Sequence, residues 1–183
     1  GRTLYPGFKR LAPGMRLSYD LASNNYSVHP THDLAAKFKT RPDLAGIAED
    51  MLSATTLRLR ADVPIGVTVS GGVDSSMIAA MVCAAQTPHN EIRFYTALFP
   101  NTDNEDYRYA KMLAEDLGIT LKEVPIDDSA CGLKDLSSLT RQYDQPVPIA
   151  GGSFSDFLIT RAMAQDGIRI AVSGTGGDEV FGG

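Results

Sequence analysis

Apolar positions in this chain of 183 residues follow two spacings, every second residue in some stretches and every third or fourth in others. Residues 1–30 read as a β-rich lead-in. Met15, Leu17 and Tyr19 alternate with polar residues there, and Tyr5-Pro6-Gly7 and Pro13-Gly14 are turn sequences. From 44 to 60 the positions Leu44, Ile47, Ala48, Met51, Leu52, Thr55 and Leu59 keep helical spacing, with Asp43 as N-cap behind Pro42. A strand is expected at 65–69 and a helix at 74–86, with Met77, Ile78, Met81 and Val82 facing inward. A second strand at 92–99 ends at Pro100, and a helix over 105–117 ends at Gly118. A strand at 121–126, helices at 133–143 and 154–165, and a strand at 168–172 complete the series. Strands alternating with helices at this spacing predict an α/β fold, an open parallel sheet with helices on both faces.

The sequence Ser70-Gly71-Gly72-Val73-Asp74-Ser75-Ser76 falls between the strand at 65–69 and the following helix. Glycines in such a turn let the backbone approach an anion closely, and the helix N-terminus adds N–H donors and a partial positive charge. The hydroxyls of Ser70, Ser75 and Ser76 supply further donors. Asp74 would repel a phosphate alone, but makes sense with a divalent cation between them, since Mg²⁺ takes one or two carboxylates plus phosphate oxygens. The Gly-Lys-Ser/Thr ending of the ordinary P-loop is missing, so this is a different phosphate loop. The last strand runs into a similar motif, Ser173-Gly174-Thr175-Gly176-Gly177-Asp178-Glu179. Ligands of open α/β sheets bind beyond the carboxyl ends of the strands where strand order reverses. If the strands at 65–69 and 168–172 are neighbours, both motifs face one crevice and Asp74 and Asp178 can share metal ions.

Composition narrows the field little. A hydrophobic fraction of 43% and a charged fraction of 21% are those of an ordinary globular domain. The net charge of −5 gives no electrostatic footprint for nucleic acid. No apolar run reaches membrane-helix length and no signal peptide opens the chain, so the expected setting is the cytoplasm, away from membranes. Cys83 and Cys131 lack metal-ligand spacing, and His29, His32 and His89 read as surface residues. The chain opens without Met and stops at Gly183, directly after the second motif, which suggests a piece of a longer protein.

The loop at 70–76 resembles the pyrophosphate loop of the N-type ATP pyrophosphatases, which cleave ATP between the α- and β-phosphates. With both motifs placed, nearly the whole chain resembles the synthetase domain of the class B, glutamine-dependent asparagine synthetases. The resemblance is carried by Leu4-Tyr5-Pro6-Gly7-Phe8 through Leu11-Ala12-Pro13-Gly14, by Val63-Pro64-Ile65-Gly66 ahead of the phosphate loop, by Tyr143-Asp144-Gln145-Pro146, and by Ser173 through Gly183. It implies an adenine-nucleotide α-hydrolase-like fold of the PP-loop (HUP) kind, truncated at its C-terminal end. Residues 1–40 would be the lead-in from a glutaminase domain that is absent here, and 41–183 the ATP pyrophosphatase domain.

The resemblance also implies ATP and Mg²⁺ as cofactors. Ser70, Gly71, Gly72, Asp74, Ser75 and Ser76 would hold the departing pyrophosphate, and Thr68, Thr96, Ser173 and Gly174 would contact the nucleotide. Asp74 and Asp178 would bind the metal, and no side chain is assigned as catalytic. The implied reaction adenylates a carboxylate, aspartate or an analogue, and forms an amide with ammonia from glutamine. A homodimer is a further possibility, and the chain by itself is expected to be inactive. Asparagine-forming members typically carry Glu where this chain has Thr175. Three alternatives therefore stay open: another carboxylate, an internal amide as in β-lactam or lasso-peptide closure, and a nucleotide-binding module without catalysis.

Overall fold

The computed structural model describes residues 3–31, 43–85, 91–100, 102–126, 133–143 and 152–182. The chain divides into two compact units, Gly1–Leu44 and Ala45–Gly183.

The first unit is built on a hairpin of β1 (Met15–Asp20) and β2 (Asn25–Pro30). Its antiparallel register pairs Met15 with Pro30, Leu17 with Val28 and Tyr19 with Tyr26, which gathers the apolar positions on one face. Asp20 closes the turn by accepting from the Ala22 N–H at 2.9 Å and the Ser23 hydroxyl at 2.7 Å. Asn24 takes the left-handed conformation there, which asparagine tolerates. The alternation in the sequence is that of a strand, as expected.

The second unit opens with α1 (Leu44–Arg58), followed by β3 (Ile65–Thr68), α2 (Val73–Ala84), β4 (Ile92–Leu98) and α3 (Glu105–Leu117). It continues through β5 (Leu121–Pro125), α4 (Leu133–Tyr143), α5 (Ser153–Gln165), β6 (Ile170–Val172) and the short α6 (Gly177–Phe181). The sheet is parallel throughout in the order β5-β4-β3-β6, so β3 and β6 are neighbours and strand order reverses between them. No helix among the described residues is long and apolar enough to cross a membrane.

Helices cover both faces, and strand alternation decides which side chains meet which helix. Ile65, Val67, Val69 and Phe94 share one core with Ala79 and Val82 of α2 and Ala110 of α3. Tyr95, one residue along from Phe94, belongs to the opposite core with Leu158, Ile159 and Met163 of α5. Gly66 also faces α5, since a Cβ there would stand 2.8 Å from Met163 Sδ. The inward residues of α2 are Ser75, Ala79 and Val82, whereas Met77, expected inside, is 37% exposed. Small residues take the inner face because α2 lies directly against the loop and sheet that precede it. Cys83 packs against this core, and burial pushes its thiol pKa up. Cys131, His32, His89 and the Asp144-Gln145-Pro146 segment lie outside the described residues.

A polar cluster ties the end of α5 to the sheet. The Tyr95 hydroxyl donates to Asp166 Oδ2 at 2.8 Å, Lys122 Nζ donates to Asp166 Oδ1 at 2.7 Å, and Arg93 reaches the Asp166 carbonyl at 3.2 Å. Hydrogen bonds from Lys122 and Tyr95 hold the Asp166 carboxyl below the usual carboxylate range. A carboxylate depressed on folding supports the fold above its unfolded pKa of about 4, and that support is lost as pH falls through the folded value. Asp166→Asn is therefore expected to lower stability at neutral pH and to flatten the decline in stability below about pH 4. Urea unfolding of both proteins across that range measures this, and superimposable pH slopes would show the cluster to be idle.

Candidate active site

Strand geometry persists to the mouth of the loop after β3, where the Val69 N–H still donates to the Tyr95 carbonyl at 2.8 Å. Ser75 then knots the loop from inside. Its hydroxyl accepts from the Ser70 N–H at 3.1 Å, donates to the Gly72 carbonyl at 3.1 Å and lies 2.8 Å from Ser70 Oγ. The Ser75 donor is thus used within the loop. The first N–H groups of α2 have no partner within the helix, and the N-cap Gly72 has no side chain to satisfy them.

Three glycines allow the surrounding pieces to close in. Gly71 has φ +91°, and a Cβ on it would stand 1.9 Å from the Asp106 carbonyl oxygen in the first turn of α3. A Cβ on Gly174 would fall 2.7 Å from the Ser75 nitrogen, and one on Gly177 would fall 2.4 Å from the Asp74 carboxylate. The two glycine motifs therefore touch, with the Asp74 carboxylate against the start of α6. Sequence reasoning expected this meeting, and the β3–β6 pairing produces it.

Above the carboxyl ends of the strands lies a cavity of about 390 Å³. Thr68, Ser70, Gly72, Asp74, Ser75, Thr96, Ser173 and Gly174 line it together with Thr175. Gly71 is turned under α3, Ser76 has its N–H on the Gly72 carbonyl at 3.0 Å, and Asp178 stands exposed on α6; none of these three lines the cavity. Ser173 donates its hydroxyl to Thr175 Oγ1 at 3.0 Å, giving the β6 side of the cavity a pair of neutral hydroxyls.

Sequence reasoning missed Asn104, Asp106, Tyr107, Ser155 and Asp156, which also line the cavity. They sit at the N-terminal ends of α3 and α5. The available signal was positional, since a helix that follows a parallel strand begins at the strand's carboxyl end, over the crevice. Asn104 further caps α3, its Oδ1 accepting from the Asp106 N–H at 2.9 Å.

The lining carries three carboxylates, Asp74, Asp106 and Asp156, and no Lys, Arg or His among the described residues. Such a wall rejects a bare polyphosphate and suits one that arrives with a cation. Asp74 is partly buried and its carboxylate has no hydrogen-bond or ion-pair partner among the described residues, so it is free to ligate. The described residues contain no group of three His, Cys, Asp or Glu able to hold a metal alone. The Thr96 hydroxyl is an orphan as well, 1% exposed, on the cavity wall and without a partner among the described residues. A buried hydroxyl left unpaired is costly, and a ligand in the cavity would satisfy it.

Residues 46–183 match the model of the asparagine synthase family, and the chain belongs to that family. It is 28% identical over 200 residues to the amidase chry2 of Gibberella zeae, covering 99% of this chain and 29% of that protein. It is 31% identical over 137 residues to the nodule asparagine synthetase [glutamine-hydrolyzing] of Pisum sativum, covering 71% of this chain and 23% of that protein. The chain thus spans less than a third of the length of these relatives. Among solved structures, it resembles the NH3-dependent NAD synthetase from Campylobacter jejuni at 17% identity and a TM-score of 0.49, over 77% of this chain and 61% of that one.

Proposed function

We propose that this chain is the ATP-using part of an amide-forming ligase. A substrate carboxylate oxygen attacks the α-phosphorus of ATP, the α–β phosphoanhydride bond breaks, and pyrophosphate leaves with the electron pair. Ammonia derived from glutamine then attacks the acyl carbon, and AMP departs. The observation that carries this reading is the free Asp74 carboxylate, held where the two glycine motifs meet on adjacent parallel strands. The amides that begin α2 would receive the β- and γ-phosphates, and Asp74 with Asp178 would hold Mg²⁺. When bound, the metal neutralises charge developing on the departing pyrophosphate. Thr68, Thr96, Ser173 and Gly174 would position the nucleotide between the phosphate loop and β4. A cytoplasmic setting, a glutaminase partner domain and a homodimer belong to the same proposal.

Titration of the chain with ATP and Mg²⁺ tests the first half; a folded chain that gives no heat with ATP or AMP would sink it. Pyrophosphate release by the full-length enzyme against a panel of carboxylates, with product masses, tests the second.

A second reading keeps the ATP chemistry and changes the acceptor: the carboxylate activated is not that of aspartate. Thr175 favours it, standing where asparagine-forming members carry Glu. So does the amidase name of the relative that aligns along 99% of the chain, where the pea synthetase aligns along 71%. Asparagine as the product mass, with aspartate the preferred substrate, would exclude it.

A further inference from the structure

The cavity has two chemically different ends, and the sheet order separates them. β3, which carries the phosphate loop, stands between β4 on one side and β6 on the other. Toward β6 the wall is the hydroxyl pair of Ser173 and Thr175. Toward β4 it is apolar, formed by Ala97 and Phe99 at the end of that strand and by Ile159 of α5, which packs over β4 and β5. Asp156 lies one helical turn before Ile159 on the same wall. Desolvation pushes its carboxyl pKa up, although much of the residue's surface stays open to solvent. It has no hydrogen-bond or ion-pair partner through its carboxylate among the described residues. An acceptor beside apolar walls, facing no cation of its own protein, calls for a donor on the ligand.

We propose that Asp156 is the residue that selects the nucleoside, its carboxylate accepting a hydrogen bond from a donor group of the base or ribose at the β4–α5 end of the cavity. This rests on the reading of the cavity as an ATP site. With the phosphates at the β3 loop in the middle, the base needs apolar walls, and Ala97, Phe99 and Ile159 supply them at the β4–α5 end of the described lining. Thr96, buried and without a hydroxyl partner among the described residues, also lines the cavity from β4. Two nucleoside donors fit the chemistry, the exocyclic amine of adenine and the ribose 2′-hydroxyl.

Calorimetric titration of the chain with ATP, ITP and 2′-deoxy-ATP, each with Mg²⁺, separates the two donors. If the amine is the donor, the unaltered chain prefers ATP over ITP by about tenfold, and Asp156→Ala removes the preference. Asp156→Asn should then turn the preference toward ITP, because its amide can donate to the oxygen that replaces the amine. If the ribose is the donor, the tenfold gap and its loss in Asp156→Ala fall on 2′-deoxy-ATP, with ITP bound like ATP. Should Asp156→Ala and Asp156→Asn leave both ratios unchanged, the assignment of Asp156 is wrong while the ATP site stands. If the unaltered, folded chain binds none of the three nucleotides, the ATP reading itself fails and this inference with it.

Discussion

Asp74→Asn in the full-length enzyme is expected to lower pyrophosphate release at least about tenfold, equivalent to ~1.4 kcal/mol of transition-state stabilisation. The substitution keeps the shape of the side chain and removes one negative charge. In the proposed reading Asp74 meets the phosphates through a cation, and its carboxylate, which lines the cavity, stands beside Gly177 where the two glycine motifs meet. If Asp178 holds Mg²⁺ as proposed, Asp178→Asn is expected to act in the same direction, although Asp178 does not line the cavity. Thr175→Ala removes no charge and should cost far less. Normal turnover in Asp74→Asn and Asp178→Asn beside a dead Thr175→Ala would move the chemistry onto the threonine.

Gly71→Ala is expected to destabilise the fold by about 2–4 kcal/mol in denaturant titration. Two effects add. The backbone there has φ +91°, where an L side chain is strained, and the new Cβ would meet the Asp106 carbonyl at 1.9 Å. The obstacle is backbone in the first turn of a helix, so it cannot rotate out of the way, and either the loop or α3 must shift. Gly72→Ala is the control, because its Cβ would meet only Ser70 Oγ, at an ordinary 3.5 Å, and its φ is −70°. It should cost under about 1 kcal/mol. Equal losses in the two variants would mean that Gly71 is not where loop and helix are pressed together.

Local signals made much of this legible in the sequence. The helix at 105–117 was bounded correctly because its ends carry their own instructions: Asn104 caps the start and Gly118, with φ 65°, ends it. The two glycine motifs were legible because Gly71, Gly174 and Gly177 sit where a Cβ would meet backbone or the Asp74 carboxylate, and Gly176 has a φ of +101°. Met77 was misplaced because apolar character alone does not say which face of α2 can come close to the sheet, and small Ser75 and Ala79 won that place. The contacts of Asp166 with Tyr95 and Lys122 join residues far apart in sequence, so no local pattern announces them. Asp106 and Asp156 read as ordinary first-turn acids, favourable with the helix dipole, and only the assembled sheet brings them to a cavity.

The pairing of β3 with β6 also sets the order in which the site can come into being. Ile65 lies beside Ile170, about a hundred residues further along the chain, and β6 contributes only three residues to the ladder. Closing so long a span is entropically slow to repay, so β3, α2 and β4 are expected to consolidate first and β6 to dock late. During synthesis the phosphate loop would leave the ribosome well before Gly174 and Gly177 exist to cover Asp74. A nascent chain would thus carry half a cradle, complete as a turn and without its closing wall. Pulse-labelled hydrogen exchange during refolding reports on this directly: amides of β3 and β4 should gain protection ahead of those of β6, and simultaneous protection would mean that the cradle forms in one step.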